Sequence, residues 1–215
     1  MSTYAVYKNK KNGKKLVYYP CPKNAHTSAM LFFVKHLGLE NKFVFIGDKI
    51  PKYKQKKNDL SGKINLHNFL PAFQQFFVVN ADYKCCIIRD PVERFLSTYR
   101  NRILYHKDEK FKDYTIDMIL EKLEKELFDN IHFRPQIYFL GDNLNYYSFY
   151  ANVSDAKYFE EKVNEFFGKK VEFPKVQTKG KEFDIRLNDH QLERIRKIYD
   201  RDFKLLKKKD ENTKV

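Results

Sequence analysis

The chain has 215 residues, of which 42% are hydrophobic and 16% aromatic, so it can bury a core and is not disordered throughout. Lysine and arginine number 42 against 28 acidic residues, and the net charge of +14 favours an anionic partner or substrate, such as a nucleotide, a nucleic acid or an acidic polymer. No apolar stretch approaches the roughly 20 residues of a membrane span, and the N-terminus lacks the apolar segment of a signal peptide, which together predict a cytoplasmic protein.

The first part of the chain predicts a strand, a turn and a helix. A β-rich run over residues 15–20 leads into the polar turn CPKNAHTS, and an apolar helix then runs from Thr27 to Gly38. Residues 43–46 predict a further strand. Residues 49–63 carry six lysines and no apolar period, which predicts a mobile basic loop.

A second strand–turn–helix unit follows. Residues 83–88 form a nearly continuous apolar run that is typical of a buried parallel strand, and Pro91 suits the first position of the next helix. Further elements are predicted in this order: a helix over 115–128, a strand over 145–150, a helix capped by Ser154 and ended by Gly168, and a last helix from Asn188. Strands that alternate with helices predict one α/β domain over residues 1–215, with a mostly parallel sheet flanked by helices. Its core spans about residues 15–206, and residues 207–215 are expected to fray.

The cysteines give no sign of a metal site or of a disulfide framework. Cys21, Cys85 and Cys86 are odd in number, two of them are adjacent, and none has the spacing of zinc ligands. We therefore predict that they are buried as small apolar side chains and that no metal is bound.

The turn CPKNAHTS carries the groups of a phosphate-binding site. A turn between a strand and a helix offers unpaired backbone N–H groups and the positive end of the helix. Lys23 adds a positive charge, and Thr27 and Ser28 add hydroxyl donors. The glycine and lysine spacing of the P-loop is absent. The alternative interpretation is that Thr27 or Ser28 only caps the helix and Lys23 is only solvated.

The segment IIRDPVERFLSTYRNR repeats this geometry. Arg89 follows a buried strand at the edge where α/β sheets bind ligands, and its guanidinium group can hold two phosphate oxygens at once. Ser97 lies one to two turns into the following helix. The alternative for Arg89 is a salt bridge with Asp90 that shapes the turn, and Arg94 and Arg100 are expected on a solvated face.

Together the two segments resemble the sulfotransferases that use 3′-phosphoadenosine-5′-phosphosulfate (PAPS). PKNAHTS, residues 22–28, is similar to their 5′-phosphosulfate motif PKxxxTS, and RDPVERFLSTY, residues 89–99, is similar to their 3′-phosphate motif RDPxxRxxSxY. HFRPQ (132–136), PKVQTKGK (174–181) and IYDRDF (198–203) extend the likeness to the carbohydrate branch, which includes heparan sulfate 2-O-sulfotransferases and bacterial polysaccharide sulfotransferases. The resemblance implies the P-loop-like sulfotransferase fold.

The resemblance also implies a cofactor and the residues that hold it. PAPS would be the sulfuryl donor and adenosine 3′,5′-bisphosphate the product, with no metal. Lys23 would contact the phosphosulfate and stabilise charge on the leaving oxygen, whereas Arg89 and Ser97 would hold the 3′-phosphate. The 5′-phosphate would be held by backbone N–H groups and hydroxyls of one segment: Asn24, Ala25, His26, Thr27 and Ser28. Thr178 and Lys179 would close on the nucleotide.

An acceptor hydroxyl must lose a proton, and histidine is a suitable base because its ordinary pKa lies near neutrality. His67 lies 22 residues before Arg89, close to the separation at which the resemblance places the base. The alternative for His67 is a histidine on a partly buried helix face. His132, together with Arg134 and Gln136, is the second candidate, as the base or as a contact to the acceptor. The alternative for His132 is a buried structural role.

The sequence therefore predicts an enzyme that moves a sulfuryl group from PAPS to a hydroxyl of a carbohydrate or other acceptor, one with acidic groups included, by in-line transfer. Residues 49–63 would guide an acidic oligosaccharide by charge, or would be only a solvated loop. Two other classes stay open: a basic nucleic-acid-binding module and a P-loop nucleotide kinase. The aromatic residues at core spacing, without any nucleic-acid motif, favour the enzyme and no nucleic-acid partner.

Overall fold

The computed structural model describes residues 5–9, 11–39, 43–44, 52–53, 80–126, 130–176 and 183–212. Its strands are β1 (Ala5–Lys8), β2 (Lys15–Tyr19), β3 (Phe43–Val44), β4 (Lys52–Tyr53), β5 (Tyr83–Ile88) and β6 (Phe149–Asn152). Its helices are α1 (His26–His36), α2 (Pro91–Tyr99), α3 (Ile116–Glu124), α4 (Ile137–Leu140), α5 (Ala156–Phe167), α6 (Asp189–Ile198) and α7 (Asp200–Asn212). A π-helical segment, Arg100–Tyr105, continues α2.

The main sheet has the strand order β1-β2-β5-β6. β1 is antiparallel to β2, whereas β2 is parallel to β5, with Tyr18 opposite Cys85, and β5 is parallel to β6, with Cys86 opposite Tyr150. β5 is central and buried on both faces, which explains its apolar sequence. The predicted α/β fold with a mostly parallel sheet flanked by helices is confirmed. β3 and β4 form a separate antiparallel pair.

Helices cover both faces of the main sheet, because successive residues of a strand point to opposite faces. One face packs against α1 and α5 through buried apolar side chains that include Leu16, Tyr18, Phe32, Phe33, Ile87 and Phe159. The other face packs against α4 and α7 through a second set that includes Val17, Tyr19, Cys86, Ile88, Leu140 and Leu205. A third cluster joins α2, α3 and α6 through Phe95, Ile119, Phe133, Ile195 and Tyr199. Ligands of such sheets bind at the carboxyl edge of the strands, between these layers.

Several elements differ from the sequence predictions. β1 was not predicted. The strand expected over 145–150 begins at Phe149, because the residues before it form a 3₁₀ turn, Leu144–Tyr146. Ser154 does not cap a helix with its side chain; its N–H donates to Asn152 Oδ1 at 3.1 Å. Gly168 ends α5 as predicted, with φ at +61°.

Other predictions are met in part. α7 continues to Asn212, through most of the segment that was expected to fray. Of the basic segment 49–63, Lys52–Tyr53 pairs as β4, and the rest lies outside the described residues. The three cysteines are buried and free, as predicted. None of the helices within the described ranges is long and apolar enough to cross a membrane.

Candidate anion-binding site

The two motif segments lie side by side at the carboxyl edge of the sheet. β2 and β5 are parallel neighbours, so the turns that follow them emerge at the same edge, and each turn leads into a helix. A direct contact joins the two turns, because Arg89 Nη1 donates to the carbonyl oxygen of Lys23 at 3.1 Å. Segments that are more than 60 residues apart in the chain therefore lie in direct contact and form one candidate site.

The first turn has an unusual backbone that its neighbours hold in place. Lys23 and Ala25 adopt left-handed conformations, with φ at 69° and 53°, which cost a non-glycine residue about 1–2 kcal/mol each. The Asn24 N–H donates to the Cys21 carbonyl at 3.2 Å, and the Asn24 side chain donates to the Ile87 carbonyl at 2.9 Å. Backbone strain of this kind persists only where surrounding contacts over-determine it, and it concentrates at functional sites.

The N-terminal end of α1 offers donors to an anion. The N–H groups of Ala25, His26, Thr27 and Ser28 have no acceptor among the described residues, and Ala25, at the N-cap, has no side chain to supply one. The positive end of this 11-residue helix therefore faces the turn with free N–H groups. The Asn24 N–H, expected to join them, is instead used within the turn.

Neither hydroxyl residue of the motif is the N-cap, which excludes the simple capping alternative. Thr27 and Ser28 lie inside the first turn of α1 and are buried. The Ser28 hydroxyl accepts from the N–H of Val176 at 3.4 Å, so the late segment 174–181, of which residues 174–176 are described, contacts this turn at Val176.

The charged groups at the edge are predominantly cationic. Burial, followed by the nearby Arg89, Arg102 and Arg94 guanidinium groups, lowers the pKa of Lys23 to about 7. Among the residues that the structure describes, no carboxylate pairs with Lys23. Burial also lowers the pKa of Arg89, although Glu93 lies 3.6 Å from its Nη2 atom and partly offsets this. An anion placed here would relieve the repulsion among these cations.

The structure contradicts two sequence-based alternatives: a salt bridge between Arg89 and Asp90, and a solvated position for Arg94. Asp90 does not pair with Arg89; it caps α2 by accepting from the Glu93 N–H at 3.0 Å. Arg94 is 1% exposed rather than solvated, because its Nε donates to the Pro22 carbonyl at 3.1 Å and its Nη1 to the Arg134 carbonyl at 2.7 Å. Arg94 thus connects the first turn to the HFRPQ segment.

Arg100 and Ser97 lie on the helical segment that follows Arg89. Arg100 is half-buried, and its Nε donates to the Phe183 carbonyl at 3.1 Å, so it does not lie on a freely solvated face. Ser97 is half-buried near the C-terminal end of α2, where the structure records no hydrogen bond of its side chain to the described residues.

The HFRPQ segment lies against both turns, and the side chain of its Gln136 forms hydrogen bonds with each of them. Gln136 is fully buried, its Oε1 accepts from Asn24 Nδ2 at 2.9 Å and from the Arg89 N–H at 3.2 Å, and its Nε2 donates to the Arg89 carbonyl at 2.9 Å. The Gln136 amide thus bonds to both turns, and the predicted acceptor contact of Gln136 stays a prediction. Arg134 is half-buried, and its carbonyl oxygen receives the bond from Arg94.

His132 faces the same cations. Its Nδ1 lies 2.9 Å from Asn130 Oδ1, an oxygen that also accepts the His132 N–H. Because an amide oxygen only accepts, Nδ1 carries the proton and Nε2 carries the lone pair. Burial, followed by Arg102 and Lys23, lowers the pKa of His132 to about 4, so the imidazole is neutral near pH 7.

His26 lies at the start of α1 against the sheet. Its ring is parallel to that of Tyr18, with centroids 6.5 Å apart, and burial lowers its pKa to about 4. His26 Nδ1 and Asn24 Oδ1 are buried without a partner in the described part of the chain. Buried polar atoms without partners are uncommon, and a bound group or an ordered water at this edge would supply the missing bonds.

Three predicted site residues lie outside the described residues: His67, Thr178 and Lys179. Two residues that shape the candidate site, Arg94 and Asp202, were not predicted from the sequence. Asp202 is fully buried and accepts the N–H groups of Gln136 at 2.8 Å and Ile137 at 3.0 Å. The sequence sign of this role is the position of Asp202, an acidic residue between inward-facing apolar residues of the last helical segment.

Comparison with known proteins agrees with the geometry. A family model described as "Sulfotransferase family" matches residues 9–209, nearly the whole chain. The comparisons with curated proteins and with solved structures found no match.

Proposed function

Because the chain belongs to the sulfotransferase family, we propose that it transfers a sulfuryl group from PAPS to a hydroxyl of a carbohydrate acceptor. One observation carries the proposal: the Lys23 turn and Arg89 are joined by a hydrogen bond into a single cationic edge. A nucleotide that bears one phosphate at its 5′ end and another at its 3′ position has matching charges. The carbohydrate acceptor is supported by the motif resemblance, and the net charge of +14 favours an acidic glycan.

The residues present suit the proposed cofactor. The N–H groups from Ala25 to Ser28 would bind the 5′-phosphate, with Lys23 beside them. Arg89 and Ser97 would hold the 3′-phosphate, and Thr178 and Lys179 would cover the nucleotide. PAPS, when bound, supplies the sulfuryl group, and the proposal includes no metal.

Lys23 and the free N–H groups would act mainly by electrostatics. Group transfer of this kind gains most from positioning and from donors aimed at the oxygen that gains charge. A half-buried ammonium group stabilises such charge more strongly than one in water, because the local dielectric constant is lower.

Two histidines are proposed for proton transfer. His67 would be the base, on the separation from Arg89 that the resemblance gives. His132 is the second candidate, because its Nε2 carries the lone pair and Lys23 lies near enough to contribute to the lowered pKa of this ring. An anion bound between them would raise the pKa of His132 and strengthen it as a base.

The test is sulfuryl transfer from PAPS labelled with ³⁵S. Neutral and acidic oligosaccharides would be offered in parallel, and labelled product and released bisphosphate would be measured. We expect transfer to a carbohydrate hydroxyl, with acidic chains preferred at low salt. The proposal would be contradicted if no carbohydrate accepts the label and the protein binds ATP with magnesium more tightly than the bisphosphate. That result would favour a kinase.

The base is identified by His67→Ala and His132→Ala, with the exposed His190→Ala as the matched control. Loss of the base is expected to lower kcat about 10²–10⁴-fold. Bisphosphate affinity should stay within about threefold, because the base acts on the acceptor. If both variants retain kcat within about tenfold, neither histidine is the base.

A further inference from the structure

We propose that Gln136 is a positioning residue that sets the spacing of the Lys23 and Arg89 turns and thereby selects a nucleotide with two phosphates. This inference rests on the proposed function, which it deepens by naming the residue that couples the two ends of the nucleotide site. Gln136 itself would touch neither substrate.

The Gln136 side chain behaves like a further strand beside the end of β5. Its amide makes two bonds with the backbone of a single residue: Oε1 accepts from the Arg89 N–H at 3.2 Å, and Nε2 donates to the Arg89 carbonyl at 2.9 Å. β6 pairs with β5 only as far as Ile88, opposite Asn152. Gln136 therefore holds the backbone of Arg89 just beyond the point where pairing with β6 stops.

The same amide also holds the other turn. Gln136 Oε1 accepts from Asn24 Nδ2 at 2.9 Å, and Asn24 lies between the two left-handed residues that shape the Lys23 turn. One buried oxygen thus receives a donor from each anion-binding segment. Gln136 and Asn24 are fully buried, so movement of either turn relative to the other would break a hydrogen bond that bulk water cannot replace, which makes the spacing stiff.

Gln136 is itself held in place by the C-terminal helix. The buried carboxylate of Asp202, on α7, accepts the backbone N–H groups of Gln136 at 2.8 Å and Ile137 at 3.0 Å. These two N–H groups lie at the start of α4 and have no acceptor within that helix. Asp202 therefore anchors the residue that sets the spacing.

A stiff spacing matters for a ligand that engages both turns at once. Once the first phosphate is bound, binding of the second is intramolecular. The affinity gained from the second phosphate depends on how well the distance between the two turns matches the distance between the two phosphates. A loosened spacing reduces this gain but leaves each single phosphate site able to bind. Gln136 should therefore control the preference for a bisphosphate over a monophosphate rather than phosphate binding itself.

The experiment measures three dissociation constants by calorimetry: those of adenosine 3′,5′-bisphosphate, 5′-AMP and 3′-AMP. In Gln136→Met, we expect the preference for the bisphosphate over either monophosphate to fall about tenfold or more. Both monophosphate affinities should stay within about threefold of wild type. Gln136→Asn keeps a polar amide one methylene shorter, and it provides the same comparison if Gln136→Met does not fold.

The matched control is Gln191→Met. Gln191 is also buried, and its Nε2 donates to Asp117 Oδ2 at 2.9 Å, on the α3–α6 side of the molecule. It should lower stability without changing the nucleotide preference by more than about twofold. A folded Gln136 variant that keeps the wild-type preference, or loses affinity for all three nucleotides equally, would overturn the inference alone. A wild-type protein that binds the three nucleotides alike would overturn the proposed function, and the inference with it.

Discussion

Lys23 combines a left-handed backbone, a half-buried ammonium group and three guanidinium neighbours. Each of these features is unfavourable in the absence of an anion: the first strains the turn, the second desolvates a charge and the third adds repulsion. Desolvation and repulsion together lower the pKa of Lys23 to about 7. The sequence predicted a lysine in a phosphate turn, but not this loss of basicity, which arises first from burial and then from the nearby guanidinium groups of Arg89, Arg102 and Arg94.

Replacement of Lys23 by methionine removes the charge and keeps the length of the side chain. We expect Lys23→Met to weaken bisphosphate binding by about 1.5–3 kcal/mol, the range for hydrogen bonds to charged groups. This is about a 10- to 150-fold rise in Kd. The control is Lys110→Met, at an exposed position, which should leave Kd within about twofold. Titration calorimetry checks both, and equal affinities for the two variants would contradict the assignment of Lys23.

The pKa of Lys23 also predicts how binding depends on pH. In the free protein Lys23 loses its proton above about pH 7, whereas a bound anion stabilises the protonated form. Binding above that pH must therefore take up a proton, so affinity for the bisphosphate falls as pH rises from 7 to 9, by about tenfold or more. Lys23→Arg should show a flatter profile, because arginine stays protonated. A wild-type affinity that is constant over this range would contradict the prediction.

At the scale of elements, the two strand–turn–helix units could be predicted, and the details around them could not. β5 is apolar except for Lys84, and Pro91 starts α2, so both signals are local. β1 has only four residues, and its pairing with β2 is not visible in its own sequence. Arg94 was predicted on a solvated face, because a charged side chain on a helix is usually exposed to solvent. Its burial depends on the carbonyl oxygens of Pro22 and Arg134, which come from two other segments.

Arg94 is predicted to stabilise the fold by joining α2 to those two segments. Arg94→Met leaves the Arg134 carbonyl oxygen without this donor and the Pro22 carbonyl oxygen with only the weak donor Cys21 Sγ, so the free energy of unfolding should fall by about 2–5 kcal/mol. Arg94→Lys should restore only part of this, because an ammonium group cannot reproduce the planar fork. Urea denaturation measures the change, with Arg186→Met as the control, since the Arg186 side chain is 90% exposed. A loss below about 1 kcal/mol would show that these bonds contribute little.

At the scale of the whole molecule, the site is assembled from segments that are distant in the chain. The turn at residues 22–28, Arg89, the HFRPQ segment and Asp202 meet because β2 and β5 are parallel neighbours and α7 packs beneath α4. The sequence supplied the motifs and their order. It did not show that Gln136 supports both turns, because an amide that contacts a ligand and one that holds a backbone look alike in a sequence.

The most direct test of the two-turn site is thermal unfolding with adenosine 3′,5′-bisphosphate, beside 5′-AMP and ATP with magnesium. At 100 times its dissociation constant a ligand adds about 2.7 kcal/mol to stability. A chain of this size gains about 2–4 °C in Tm for each kcal/mol, so the bisphosphate should raise Tm by about 5–11 °C. We expect 5′-AMP and ATP with magnesium at the same concentration to raise it much less. No shift with the bisphosphate, or a larger one with ATP and magnesium, would contradict a site built for a nucleotide with phosphates at both ends.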